Sequence, residues 1–233
     1  VTASGEFDLI ARIRERCPQR EDVRLGIGDD AALLQPPMGE LLAITSDTLN
    51  SGVHFPTSTD AEAVGHKALA ANLSDLAAMG ARPLWCTLSL CLPDSDPDWL
   101  DRFLDGFLVL AQSHGIALVG GDTTRGPLSI SVTAIGSVRD GQALRRDGAR
   151  AGDDVWLTGT VGDAAAGLLL VSNPDTLGQP DDVAFLRGRL DRPTPRVAAG
   201  IALRGLASAA IDVSDGVLAD LGHVLEASGL APN

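Results

Sequence analysis

The chain has 233 residues, enough for one large domain or two ordinary ones around a sizeable core. It is globular in composition, with 45% hydrophobic and 21% charged residues. A net charge of −13, with 3% aromatics and no tyrosine, argues against a basic nucleic-acid surface and against a stacking platform for single strands. No stretch approaches the roughly 18 apolar residues of a membrane span. Glu6, Asp8, Arg12 and Arg14 interrupt any signal-peptide layout. Cys17, Cys86 and Cys91 lack metal-ligand spacing and read as reduced core thiols of a cytosolic protein. Cys86 and Cys91, five apart in a strand-like segment, point to opposite faces.

The periodicity predicts a first helix over about Glu6–Arg16, with Pro18 ending it, then short strands near Val23–Ile27, Ala31–Leu34 and Leu41–Ile44. Asp60 is placed to cap an Ala-rich helix reaching about Met79, and Gly80 supplies its left-handed end. Leu84–Leu92 alternates, with Leu84, Cys86, Leu88, Leu90 and Leu92 on one face. Asp96-Pro97 opens another helix and Gly115 closes it. Strands follow over Ile116–Val119 and Leu128–Val138. The polar segment Arg139–Asp154 marks a domain boundary, giving lobes of 1–138 and 139–233. The second lobe reads as strand Val155–Leu157, helix near Asp163–Val171, a Pro/Gly-rich loop over Ser172–Asp182, helix near Arg196–Leu206, strand Ala209–Ile211 and helix Val217–Ala227. This order is that of a two-lobed α/β (α+β) protein.

Five apolar or small-residue stretches run into an aspartate: Leu25-Gly-Ile-Gly-Asp-Asp30, Ile44-Thr-Ser-Asp47, Asn72-Leu-Ser-Asp75, Leu118-Val-Gly-Gly-Asp122 and Ile211-Asp-Val-Ser-Asp215. Taken singly, each reads first as a turn or a helix cap, or, at Asp75, equally as a solvated helix face. Taken together, they read as carboxylates gathered at one mouth of a sheet. Such carboxylates repel one another unless a hard cation sits among them, and magnesium on a few Asp side chains usually also holds phosphates. Thr45, Ser46 and Asp47, at a strand end, are hard oxygen ligands. Asp75 lies inside a helix otherwise made of Ala, Leu, Asn and Ser, with Ala71 and Met79 rather than a cation four residues away. Gly120-Gly121-Asp122 could bring backbone amides and a ligand against phosphates, and Arg145-Arg146 could clamp one, although a solvated linker would read the same. Asp212, Ser214 and Asp215 close a strand and open a helix, where an N-cap is the alternative. His54 follows the Thr45–Asp47 cluster in a turn-rich segment and is the one histidine placed for substrate contact.

The negative findings narrow the class. There is no G-x-x-x-x-G-K-[ST], and the single lysine, Lys67, lies in a predicted helix, which removes the P-loop NTPases. There is no Gly-x-Ser-x-Gly elbow and no His-Glu-x-x-His.

Together the segments resemble the thiamine-monophosphate kinases over essentially the whole chain. The resemblance is carried by Gly5-Glu-Phe-Asp-Leu-Ile10, Leu25–Asp30, Ser46-Asp-Thr-Leu49 with His54-Phe55, Lys67–Ala81, Gly120-Gly-Asp-Thr-Thr-Arg-Gly-Pro127 and Ile211–Gly216. It implies an aminoimidazole-ribonucleotide synthase-like fold, whose N-terminal mixed sheet, flanked by helices, pairs with a second copy into a barrel. It implies ATP-dependent phosphorylation of thiamine monophosphate to thiamine diphosphate, with ATP bound near that homodimer interface. By position, the resemblance makes Asp30, Thr45, Ser46, Asp47, Asp75, Asp122, Asp212 and Asp215 magnesium ligands. It makes Gly121, Asp122, Arg146 and Ser214 nucleotide contacts, and His54 a substrate contact. Asp47, Asp122 and Arg146 are the expected catalytic groups. The chain stops soon after the helix following Asp215, without the family's Gly-Gly-Glu-Asp-type segment and terminal aromatic, so an incomplete second lobe is expected. Rival readings are a non-catalytic or truncated magnesium–ATP-binding member, or a superfamily relative that activates another substrate with ATP.

Overall fold

The computed structural model describes residues 6–173 and 178–230. Gly5, which opens one of the matched strings, and residues 174–177 of the Pro/Gly-rich loop lie outside the described residues. The elements in chain order are α1 (Glu6–Arg16), β1 (Val23–Leu25), β2 (Leu33–Leu34), β3 (Glu40–Asn50), α2 (Ala61–Ala78), β4 (Arg82–Leu92), α3 (Pro97–His114), β5 (Ala117–Arg125), β6 (Ser129–Arg139), α4 (Asp163–Ser172), α5 (Pro180–Asp191), α6 (Val197–Ala202) and α7 (Val217–Ala227).

The centre of the fold is a mixed four-stranded sheet in the order β3-β6-β4-β5. β4 and β5 run parallel, and the β3–β6 and β6–β4 pairs are antiparallel. α2 and α3 cover one face. Leu88, Leu90, Ile130, Val132 and Ala134 from the strands meet Val64, Leu69, Leu73, Phe103 and Phe107 from the helices in one buried cluster. Among the described residues, the opposite face carries a small cluster at one end, where Leu84, Trp85, Ala117 and Val119 pack beneath Val23 and Leu34 of the β1–β2 pair.

α2 forms because alanine has the best helix propensity and because its ends are capped. The Asp60 carboxylate accepts the Glu62 N–H at 3.0 Å, and Gly80 turns the chain out at φ 62°. The helix is buried around most of its circumference, under α3, the sheet and α6. It crosses α3 at two glycines. A Cβ at Gly65 would lie 2.0 Å from the Phe103 carbonyl oxygen, and one at Gly106 would lie 1.8 Å from that of Glu62. The two backbones are therefore closer than any side chain permits, and this contact fixes how deep α2 sits over the sheet.

Several elements depart from the expectations drawn from sequence. β3 runs on to Asn50, because all eleven residues pair with β6 from Glu40↔Arg139 to Asn50↔Ser129. Thr45, Ser46 and Asp47 thus lie in mid-strand rather than at a strand end. β5 likewise continues through Asp122 to Arg125 beside β4. A register shift between Pro83 and Trp85 moves Leu84 out of the large core and into the small cluster. Beyond Arg139, no strand forms over 155–157 or 209–211. A strand needs a ladder, whereas the segment 209–211 is tied by a single bond from the Ala210 N–H to the Arg145 carbonyl at 2.9 Å, and Trp156 stays 86% exposed. α5 forms where the sequence reads as loop and linker, and α6 is shorter than expected.

Gly106→Ala is expected to force α2 and α3 apart at a cost of about 1–3 kcal/mol, read as a lowered thermal transition. Unchanged melting would show that the crossing does not set the helix spacing.

Candidate functional site

Thr45 and Asp47 share the β3 face that points toward α2, since they are paired with Ala134 and Val132 of the helix-covered core. α2 brings Ser74 and Asp75 to the same place, and the Thr45 hydroxyl donates to the Asp75 carboxylate. The chain beyond Arg139 adds two more groups. The Leu144 N–H donates to the Met79 carbonyl at 3.1 Å, docking the chain on the C-terminal end of α2. The Ala210–Arg145 backbone bond then carries the segment leading to Asp212 alongside. As a result, Ser74 donates to Asp212, and the Arg146 charge acts on both Asp75 and Asp212.

The electrostatics of this cluster are strained in one direction. Burial raises Asp47 above the ordinary carboxylate range, Asp212 raises it further, and His54 partly offsets the rise. Burial and the Asp47 charge raise Asp75 against the opposing effects of the Thr45 hydrogen bond and Arg146. Burial and Asp75 raise Asp212 against Ser74 and Arg146. Burial and mutual repulsion therefore hold all three half-buried carboxyls above the ordinary carboxylate range. His54 is exposed in the turn after β3, where its Nδ1 accepts the Asn50 N–H at 2.9 Å.

The remaining residues named from the sequence lie elsewhere. Ser46 faces the open side of the sheet, where its hydroxyl lies 2.9 Å from that of Thr133. Asp122 is exposed at the end of a register row running Thr48–Ser131–Ser89–Asp122 across all four strands, and it accepts the Thr123 N–H. Gly121 sits at φ 149°, where a Cβ would lie 1.8 Å from the Leu88 carbonyl oxygen, so only glycine lets β5 close on β4 there. Asp30 is exposed in the connection from β1 to β2. Ser214 and Asp215 are exposed in the turn before α7, and their amides, with that of Gly216, donate to Asp220. Sequence reasoning misses Ser74 and Asp220. Ser74 has the sequence context of an ordinary helix serine, and Asp220 that of a charge on an amphipathic helix.

Among the described residues, no three His, Cys, Asp or Glu side chains converge into a ready-made metal set. The donor chemistry still suits a hard divalent cation: carboxylate and hydroxyl oxygens, with mutual repulsion that a cation would relieve.

The raised carboxyls have a defined consequence for stability. The folded chain binds their protons more tightly than the unfolded chain. Their cost is absent below the ordinary carboxylate value, where both states are protonated, and grows as pH rises through the raised values. Asp47→Asn is therefore expected to melt above the parent at about pH 7 in EDTA, with the gain shrinking toward about pH 4. A variant no more stable than the parent at neutral pH would show that the repulsion is already relieved.

The family described as AIR synthase related protein, N-terminal domain, matches residues 28–138. Thiamine-monophosphate kinase of Salmonella typhimurium is 51% identical over 97% of this chain and 70% of its own length. The crystal structure of thiamine-monophosphate kinase from Stenotrophomonas maltophilia K279a is 60% identical with a TM-score of 0.88, over 98% of this chain and 73% of that one. The structure of AaThiL complexed with AMPPCP and TMP is 37% identical with a TM-score of 0.77, over 97% of this chain and 71% of that one. The chain belongs to the thiamine-monophosphate kinase family.

Proposed function

We propose that this chain transfers the terminal phosphoryl group of ATP to the phosphate of thiamine monophosphate, giving thiamine diphosphate and ADP. The observation that carries the reading is the meeting of Asp47, Asp75, Asp212 and Arg146 on a fold shared with a relative solved with AMPPCP and TMP. The nucleophile is a phosphate oxygen, already anionic near neutral pH, so the site needs no general base. The obstacle is the repulsion between two phosphate groups brought within bonding distance. Magnesium, when bound, would neutralise charge on both. Asp47, Asp75 and Asp212, with the Thr45 hydroxyl, are the groups that would hold it. Arg146 supplies a fixed positive charge toward the transferred group, and Gly121, Asp122 and Ser214 serve the nucleotide. His54, beside Asp47, serves the acceptor phosphate.

The proposal includes a homodimer. Among the described residues β3 lies at the edge of the sheet beside β6, and Leu41, Leu42 and Ile44 are exposed along it. A long edge with exposed apolar residues is a template for another strand. Closure against a second copy would turn the hydroxyl-lined face inward and bring Ser46 and Asp122 into the assembly that Asp47 alone does not reach. Asp30 and Asp215 complete the proposed metal set in that assembly. The nucleotide lobe is taken as residues 1–138, the limit at which the family match ends, and the second lobe as 139–233. The free thiols of Cys17, Cys86 and Cys91 fit a reducing, cytoplasmic compartment. Among the described residues, no helix is long and apolar enough to cross a membrane.

Incubation with ATP, magnesium and thiamine monophosphate, followed by chromatography, should yield thiamine diphosphate. The product should fall by at least about 100-fold in Asp47→Asn and Asp122→Asn while both remain folded. Magnesium-dependent ATP binding without product would instead favour a binding module. Ile44→Glu should convert a dimer to a monomer in sedimentation; a dimer that persists would remove β3 from the interface.

A further inference from the structure

Asp220 is 3% exposed, and no other charged side chain is buried among the described residues. It sits in the first turn of α7, whose N-cap, Gly216, offers no side chain. One carboxylate oxygen, Oδ2, accepts the N–H of Ser214 at 2.9 Å, of Asp215 at 3.2 Å and of Gly216 at 3.2 Å. Burying a carboxylate is costly unless it is fully hydrogen-bonded. Here the compensation comes from three successive amides of a turn whose own residues are solvent-exposed. An ordinary N-cap satisfies one or two amides from the residue before the helix. Asp220 works backwards from inside the helix and fixes three peptide units at once. Two residues upstream of the first of them is Asp212, the carboxylate that faces Asp47 and Asp75.

We infer that Asp220 is a positioning residue: by clamping the amides of Ser214, Asp215 and Gly216 it holds the 212–216 turn in the one shape that presents Asp212 to Asp47 and Asp75. The inference rests on the reading of that cluster as the phosphoryl-transfer site. α7 serves the cluster at its other end too, since Ser228 accepts the Ala149 N–H and donates to the Arg146 carbonyl.

The test uses the full chain with Asp220→Ala and Asp220→Asn, below the melting transition of each. Hydrogen exchange at residues 214–216 reads the turn directly. Steady-state turnover with magnesium–ATP reads the site. In Asp220→Ala the three amides should lose protection and kcat/KM should fall about 10–100-fold. Asp220→Asn, which keeps an acceptor oxygen, should restore most of both. A helix cap of purely structural use would lower the melting transition and leave kcat and KM of the folded fraction at parent values; that result overturns the inference, as does unchanged exchange. If Asp220→Ala does not fold, Asp220→Ser, too short to reach all three amides, replaces it under the same criteria. A parent chain that makes no product overturns the proposed function, and Mn²⁺ affinity by calorimetry then decides the role of Asp220. Weakening in Asp220→Ala with recovery in Asp220→Asn supports it; equal affinities, or no binding by the parent, overturn it.

Discussion

Asp47, Asp75 and Asp212 repel one another across the junction of three elements, and much of the surrounding structure keeps them from relaxing apart. β3 cannot retreat, because it is paired with β6 along its whole length. α2 cannot tilt, because it is pressed into α3 through Gly65 and Gly106 and into the sheet below. The 212–216 turn cannot unwind without freeing three amides from Asp220. Partial burial sharpens the repulsion, since charges interact more strongly away from bulk water. A site that is unfavourable when empty is one in which a cation gains most on entering.

The sheet divides the polar residues between its two faces by simple alternation. Thr45 and Asp47 turn toward the helices, while Ser46 and Thr48, their immediate neighbours, turn to the open side and pair with Thr133 and Ser131. The three-residue string Thr45-Ser46-Asp47 therefore serves two environments rather than one. This follows from the strand period of two.

Element type is legible wherever local signals agree. α2 and α3 begin at Asp60 and Asp96 and end at Gly80 and Gly115, because capping chemistry and left-handed glycines act on neighbouring residues. Strand ends are less legible. β3 and β5 extend through polar residues that sequence reads as turn, because pairing with β6 and β4 overrides local preference. Of the site, the aspartates that converge with Arg146 all stand out in the sequence, but so do Asp30, Asp122 and Asp215, which lie apart from them. Residue type and spacing identify oxygen donors without saying which side of a sheet each occupies. Ser74 and Asp220 are invisible for the opposite reason: nothing in a helix serine or a first-turn aspartate distinguishes a solvated side chain from one that fixes a loop.

The cluster of Asp47, Asp75, Asp212 and Arg146 draws on both sides of Arg139. The sheet and α2 alone supply Thr45, Asp47 and Asp75, two carboxylates with one hydroxyl between them. The third carboxylate and the arginine that partly offsets it come from segments beyond Arg139. Besides the packing of α6 on α2, where Gly200 meets the Ala77 carbonyl, and the Arg192–Glu62 and His66–Pro193 contacts, three bonds hold them near the cluster: Leu144 on Met79, Ala210 on Arg145, and the Arg204 guanidinium on the Gly80 carbonyl at 2.6 Å. The first and last of these attach at the C-terminal end of α2, one turn past Asp75, and the second ties the Asp212 segment to the chain so docked. The same helix end therefore sets both the position of Asp75 and the approach of the groups that face it. A displacement of that end would move donor and counter-charge together, which keeps the spacing of the cluster insensitive to such a shift.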